Sequence, residues 1–102
     1  MKHTAGFREL ILTRNKFGDG FARGLMKILI NDKYLKVIDL AGNRISKLGL
    51  EIMMKLALVE HNETITAFDV RMNTGCTERI MERYALCMIR NIDLAKKRGH
   101  AL

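Results

Sequence analysis

The stretch Leu35-Lys-Val-Ile38-Asp-Leu40-Ala-Gly-Asn43-Arg-Ile45 follows the pattern LxxLxLxxNxL. Ile38 and Leu40 lie two residues apart, which predicts a short strand that buries one of its faces. Asn43 comes just after this strand, where the chain must turn. Its amide can bond backbone groups that the turn leaves without partners, and such groups are costly to bury unsatisfied.

The same pattern recurs on either side of this stretch. It is found in Phe7–Phe17 and, in a degenerate form, in Ile65–Asn73, with Asn15, Asn43 and Asn73 in the same slot. These asparagines are 28 and 30 residues apart (43 − 15 and 73 − 43), a spacing that indicates a repeat architecture. Because so short a strand cannot bury its apolar face alone, the repeats are predicted to stack with their strands parallel.

Between the predicted strands the apolar residues recur at helical spacing. They are Phe21, Leu25, Ile28 and Leu29 in the first segment, and Leu50, Met53, Met54, Ala57 and Leu58 in the second. Asp32 and Asn62 each stand three residues before the next strand segment, where a polar side chain can close the end of a helix. Each unit is therefore predicted to run strand, turn, helix, turn.

With these features the chain resembles the leucine-rich-repeat family, in particular its ribonuclease-inhibitor-like class. The last repeat, with the long basic helix predicted after it, is loosely similar to leucine-rich-repeat proteins of centrosomes and cilia. The resemblance implies an α/β solenoid with parallel strands on the concave side, helices on the convex side and about three repeats. They span residues 7–34, 35–64 and 65–95 of a single domain, 1–102, with a basic tail at 96–102. It also implies protein binding rather than catalysis.

The third repeat departs from the pattern, since Gly75 and Cys76 stand where an apolar residue is expected. The following segment, from Thr77 to Lys97, predicts a longer amphipathic helix with Thr77 as its N-cap. We interpret this helix as the C-terminal cap of the stack. At the other end no capping helix precedes Phe7, so we expect a partner or further repeats to cover the first strand.

Composition narrows the class of protein further. The chain has 102 residues, a net charge of +7 and 48% hydrophobic residues, which argues against a multidomain enzyme and against disorder. No apolar run is long enough for a membrane span, and Met-Lys-His-Thr-Ala-Gly at the N-terminus lacks the apolar core of a signal peptide. Cys76 and Cys87 are too few for a disulfide framework, which favours an intracellular, cytoplasmic protein. No motif predicts a catalytic residue, a metal ligand or a cofactor.

The side chains on the exposed face of the predicted sheet are the first candidate binding site. They are Glu9, Ile11, Thr13, Arg14, Val37, Asp39, Ala67, Asp69 and Arg71. Asp39 and Asp69 are predicted to lie about 5 Å apart on neighbouring strands. Such a pair can share a proton, bind a cation or receive a partner's Lys or Arg. The simpler interpretation is that Arg14 and Arg71 neutralise the two carboxylates locally.

The basic end of the last predicted helix is the second candidate site, a patch of Arg90, Lys96, Lys97 and Arg98. Together with the net charge, it favours partners with acidic surfaces, such as a microtubule or axoneme, nucleic acid or an anionic membrane. Nucleic acid is the weaker expectation, because few aromatic residues stand beside the basic ones to stack on bases. Each of these residues can equally belong to a solvated helix face.

Three hypotheses for function follow. The first is a non-catalytic scaffold or adaptor subunit of a larger intracellular assembly, such as a ciliary, centrosomal or other cytoskeletal one. The second is a basic subunit of a ribonucleoprotein such as a mitochondrial ribosome, for which binding would weaken steeply with salt. The third is a GTPase-regulating repeat module, for which nucleotide hydrolysis by a partner would change.

Overall fold

The computed structural model describes residues 8–99, so the predicted strand residue Phe7 lies outside the described part. Three short strands form one parallel sheet in the order β1-β2-β3. The strands are β1 (Glu9–Ile11), β2 (Val37–Asp39) and β3 (Ala67–Asp69). The helices are α1 (Asp19–Asn31), α2 (Lys47–Met53), which continues as a π-helical segment (Met54–Val59), and α3 (Glu78–Lys97). The prediction of an α/β fold with three parallel strands, each followed by a helix, is confirmed.

The register of the sheet follows the asparagine spacing of the sequence. Leu10 pairs with Ile38, and Ile38 pairs with Phe68, so equivalent positions of the three units lie side by side. Ile38 and Leu40 are completely buried, whereas Leu10 and Phe68 on the outer strands are half-buried. One face of the sheet therefore packs against the helices, and the opposite face stays open.

Helix α1 shows where helical spacing overestimates the core. Leu25 and Leu29 are buried as predicted, and so is Ala22, which was not predicted, whereas Ile28 is 59% exposed. The expectation that Ile28 belongs to the core is wrong, because Leu25 and Leu29 already occupy the line along which α1 meets its neighbours. Phe21 is half-buried and stacks on Phe17, with ring centroids 4.0 Å apart.

The turn that follows each strand needs a left-handed residue at the same position. Arg14, Gly42 and Met72 occupy it with φ angles of 56°, 73° and 61°. Only Gly42 adopts this conformation without steric strain, while the other two residues carry a cost of order 1 kcal/mol each. A Cβ atom at position 42 would also lie 2.9 Å from Cγ of Arg14. Glycine at this turn therefore relieves strain and makes room for the arginine of the preceding unit.

A carboxylate joins the first turns of two neighbouring helices. Asp19 of α1 accepts hydrogen bonds from the Ser46 hydroxyl and, at 2.7 Å, from the Ser46 backbone N–H. These bonds hold the pKa of Asp19 below its ordinary value, and the bond from the Ser46 hydroxyl has the larger effect. Ser46 is in turn the N-cap of α2, accepting from the N–H of Gly49.

We expect this contact to make the fold sensitive to acid. Because the pKa of Asp19 is lowered by folding, its contribution is complete above the unfolded value of about 3.9 and is lost as the pH falls through the folded value. Denaturant titrations below about pH 5 should therefore show a shallower loss of stability for Asp19→Asn than for the wild type. If the free energy of unfolding of the two proteins fell equally with pH, the stabilising role of the Asp19 carboxylate would be contradicted.

Helix α3 packs against the end of the stack. The Thr77 side chain accepts from the N–H of Ile80 at 3.2 Å, which confirms the predicted N-cap. Tyr84 is buried and donates its hydroxyl to the carbonyl of Leu50 at 2.8 Å, which ties α3 to α2. No helix of the described residues is both long and apolar enough to cross a membrane.

Candidate functional site

Six alternate residues of the three strands form the surface called here the open sheet face. They are Glu9 and Ile11 of β1, Val37 and Asp39 of β2, and Ala67 and Asp69 of β3. Ile11 is 54% exposed, and Val37, Asp39 and Asp69 are half-buried. The structure thus brings together, on one surface, the strand residues of the predicted binding face. Thr13, Arg14 and Arg71 lie just beyond the strands.

Asp69 has a partner within its own unit. The Nε and Nη2 atoms of Arg71 donate to the Asp69 carboxylate at 3.0 and 2.8 Å. The hydrogen bonds from the Arg71 guanidinium hold the pKa of Asp69 below its ordinary value. A carboxylate that is stabilised in its charged form is a poor member of a proton-sharing pair, since sharing requires one raised pKa.

Asp39 pairs with Asp69 in the register of β2 and β3, yet its surroundings differ. Its carboxylate accepts from the N–H of Ala41 at 3.0 Å, and no ion pair forms on it within residues 8–99. Position 41 is equivalent to Arg71, so an alanine stands where the next unit has its arginine. Asp39, Asp69 and Arg14 line a shallow hollow of about 320 Å³ at the end of the strands. Arg14 makes no ion pair with Asp39 there.

The cation-binding interpretation of Asp39 and Asp69 lacks ligands. Across the described range, no group of three or more His, Cys, Asp or Glu side chains is placed to hold a metal ion. Two carboxylates, one of them already bound by Arg71, do not make up the six to eight oxygens that Ca²⁺ takes.

The predicted asparagine positions serve the stack itself. Asn43 accepts from the N–H groups of Asn15 and Phe17 and donates to the carbonyls of Leu12 and Leu40, all at 2.9 to 3.0 Å. It thereby joins the first two units. Asn73 does the same for the next pair of units, since it bonds the N–H of Ile45 and the carbonyls of Leu40 and Val70.

Asn15 differs from its two equivalents. It is exposed, and within residues 8–99 its amide donates only to the carbonyl of Thr13, at 3.2 Å. The difference follows from position, because the described residues contain no earlier unit whose backbone Asn15 could bond.

A second polar row lies at the other end of the units, and sequence analysis found only part of it. Asp32 and Asn62 close the turns before β2 and β3, as predicted, by accepting from the N–H groups of Leu35 and Ile65. Asn91 of α3 was missed, although it is fully buried and donates to the carbonyl of Ile65 at 2.7 Å. The sequence offered one signal for Asn91, namely that an asparagine stands on the apolar face of a predicted helix and must therefore find hydrogen-bond partners when buried.

Three of the four basic-patch residues have partners within the chain. Lys97 pairs with Asp93 at 3.0 Å and Arg98 with Glu63 at 2.8 Å. Arg90 donates from its guanidinium to the carbonyls of Leu58, Val59 and Asn62, at distances from 2.6 to 3.0 Å. It therefore caps the end of the π-helical segment, a role that leaves little of its charge for a partner.

Replacing Arg90 by alanine should destabilise the fold by about 2 kcal/mol or more, because three carbonyls lose a charged donor. Lys96→Ala removes the same charge from an exposed side chain of the same helix, and we expect it to change stability by less than about 0.5 kcal/mol. Arg90→Lys should not restore stability, since an ammonium cannot reproduce the guanidinium fork. Urea unfolding of the three variants measures this, and equal midpoints for the two alanine variants would refute the capping role.

A groove of about 590 Å³ runs along the open sheet face and is bounded by α3. Its apolar lining comes from the strand residues Ile11, Val37 and Ala67 and from the helix residues Met81, Ala85 and Ile89. Asp39 and Asp69 lie in the same lining. The helix side of this groove was not part of the site predicted from sequence.

Comparison with known proteins places the fold. No family model matches the chain, and no curated protein matches it. Among solved structures, the chain is similar to the tropomodulin C-terminal domain of Caenorhabditis elegans, with 15% identity over 94% of this chain and 73% of that one and a TM-score of 0.59. It is also similar to the leiomodin-1 actin-binding site 2, with 18% identity, 90% and 68% coverage and a TM-score of 0.65.

These neighbours correct the family assignment made from sequence. The resemblance to the ribonuclease-inhibitor-like leucine-rich-repeat class, and the looser one to centrosomal and ciliary proteins, is wrong, because the two structures named above are a tropomodulin and a leiomodin domain. The physical reason is that the motif records a packing requirement, namely a buried short strand followed by a bonded turn, which does not specify a family. Neither neighbour is named for an enzyme, in agreement with the prediction that the chain is not one.

Proposed function

We propose that the chain is a non-catalytic protein-binding module of the cytoskeleton, with actin as its partner. The observation that carries this proposal is the shared fold with leiomodin-1 actin-binding site 2 over 90% of the chain. The ciliary and centrosomal locations expected from sequence are not part of the proposal, because they depended on the overturned resemblance.

The scaffold part of the proposal is supported by how the units are joined. Asn43 and Asn73 each bond backbone groups of two units, so the strands and turns form one continuous stack. We take this stack to be a short solenoid, a scaffold that presents an extended surface to a partner. The net charge of +7 favours an acidic surface on that partner.

Co-sedimentation of residues 1–102 with filamentous actin tests the proposal. We expect the chain to pellet with filaments and to do so less as salt rises from about 0.01 to 0.15 M, where the screening length falls from about 30 to 8 Å. A parallel assay with microtubules tests the alternative filament. Failure to pellet with actin at low salt would refute actin as the partner.

Charge alone can make a basic chain pellet with an acidic filament, so the control must keep the charge. Gly75→Ala preserves the net charge of +7 and is expected to be unfolded, since its added methyl group meets the backbone of Lys47. Pelleting by the wild type and not by this variant supports binding by the folded surface. Equal pelleting would show that only charge is being measured.

The ribonucleoprotein and GTPase-regulating hypotheses remain predictions from sequence. The partners of Arg90, Lys97 and Arg98 within the chain weaken the case for a basic surface against RNA. Filter binding to a mixed-sequence RNA across the same salt range tests the first hypothesis. Hydrolysis by a GTPase with and without the chain tests the second.

A further inference from the structure

The open sheet face has a charge opposite to that of the molecule as a whole. Three of its six positions are acidic and three are apolar, while the chain carries a net charge of +7. Arg14 and Arg71 lie beside the two aspartates, and Arg71 is already bound to Asp69. A partner that binds the open sheet face is therefore expected to be basic, whereas a partner attracted by the net positive charge of the chain is expected to be acidic.

Asp39 forms no ion pair within residues 8–99, although the charge of Arg71 also acts on it. It accepts one backbone hydrogen bond, from Ala41, and is half-buried beside the apolar groove. Its neighbour Asp69 shows how a carboxylate of this face pairs with a cation, because a guanidinium donates two hydrogen bonds to its oxygens. Within residues 8–99 no guanidinium or ammonium group forms an ion pair with Asp39, so its carboxylate can pair with a cation of a partner.

The groove supplies the apolar half of the site. Its volume of about 590 Å³ falls within the range of about 300–1,000 Å³ typical of ligand sites. Ile89 of α3 and Ile11 of β1 line it and are 60% and 54% exposed, although both are large and apolar. Two such side chains facing one groove favour an occupant that brings apolar side chains of its own.

We propose that this groove binds a basic amphipathic segment of a partner protein, which inserts apolar side chains against Ile11 and Ile89 and pairs an Arg or Lys with Asp39. Because this face is acidic, we expect an acidic filament to bind elsewhere on the chain, which then joins a basic segment to an acidic partner. The proposal does not depend on the identity of that filament.

Fluorescence anisotropy with residues 1–102 provides the test. The probe is a labelled 15-residue helical peptide with leucines along one face and a single arginine among them, and the control peptide carries glutamate in place of that arginine. We expect the arginine peptide to bind at least fivefold more tightly than the glutamate peptide. Because the chain as a whole is basic, nonspecific attraction would favour the glutamate peptide instead.

Two pairs of variants locate the binding. Ile89→Ser should weaken the arginine peptide about fivefold, whereas Leu86→Ser, which changes an equally exposed residue of α3 outside the groove, should not. Asp39→Asn keeps the acceptor for Ala41 and should remove most of the preference for arginine over glutamate. Circular dichroism shows whether each variant is folded.

Three outcomes would overturn the proposal. They are no binding of the arginine peptide at about 1 mM protein, equal effects of Ile89→Ser and Leu86→Ser, or an unchanged peptide preference in a folded Asp39→Asn variant. If Ile89→Ser fails to fold, Ala85→Gln, a neutral change at another exposed residue lining the groove, provides the same comparison.

Discussion

Substitution of Gly75 by alanine is expected to prevent the chain from folding. A Cβ atom at this position would lie 1.7 Å from the backbone nitrogen of Lys47 and 2.2 Å from the carbonyl carbon of Ser46. Real Cβ atoms do not come this close to backbone atoms, and a backbone segment cannot rotate aside as a side chain can. The N–H of Gly75 also donates to the carbonyl of Ile45 at 3.0 Å, which holds the two turns together.

The size of the effect follows from what must move. To admit the methyl group, the turn after β3 has to separate from the start of α2, which breaks the Gly75 bond and the Ile45 bond to Asn73. We expect a loss of at least about 4 kcal/mol, as for other severe steric changes. A domain of this size has a total stability of only about 5–15 kcal/mol.

Gly24→Ala is the matched control for this prediction. Gly24 lies in the middle of α1, is exposed, and has no atom within 4 Å of an added Cβ. The same chemical change should therefore stabilise the chain by about 0.5–1 kcal/mol through helix propensity. Thermal melting followed by circular dichroism compares the two variants. A cooperative transition of Gly75→Ala near that of the wild type would refute the close approach.

The sequence could identify Gly75 as unusual without revealing its reason. The pattern indicates an altered turn after Asn73, but the atoms that exclude a side chain belong to Ser46 and Lys47, almost thirty residues earlier. The repeat motif specifies only the spacing of residues within one unit. The contact between two successive turns depends on how closely the units stack, which the motif leaves open.

Arg90 and Ile89 of α3 are two further residues whose contacts with distant parts of the chain could not be predicted from the sequence pattern. The sequence predicts that α3 is an amphipathic helix with a basic end, and both features are present. The carbonyls that bind Arg90 lie 28 to 32 residues before it, so its charge looked available to a partner. Ile89 was not among the candidate residues predicted from sequence, because the sequence gives no sign that α3 borders the open sheet face.

Strand register, in contrast, was predictable because it is a local consequence of the repeat. The spacing of Asn15, Asn43 and Asn73 fixes which strand residues are equivalent, and parallel stacking places equivalent residues side by side. Asp39 pairs with Asp69 as expected, within the row that begins at Ile11. What the repeat does not fix is the difference between the first unit and the others.

That difference gives the second large prediction, which concerns the asparagines. Asn43→Ala should cost about 3 kcal/mol or more, because the carbonyl of Leu12 and the N–H groups of Asn15 and Phe17 lose the amide that joins them. The carbonyl of Leu40 is less affected, since it also accepts from Asn73 at 2.9 Å. Asn15→Ala removes the same side chain from the equivalent exposed position, and we expect a change below about 0.5 kcal/mol.

The substitution Asn43→Asp distinguishes the hydrogen bonds that Asn43 accepts from those that it donates. Aspartate keeps an acceptor for the N–H groups of Asn15 and Phe17, but its second oxygen would face the carbonyls of Leu12 and Leu40, to which the amide donates. We therefore expect the aspartate variant to be destabilised at neutral pH and to recover part of its stability in acid, when protonation restores one donor. Urea unfolding at neutral and acidic pH measures both effects. Equal costs for Asn43→Ala and Asn15→Ala would show that the asparagines follow the repeat without holding its units together.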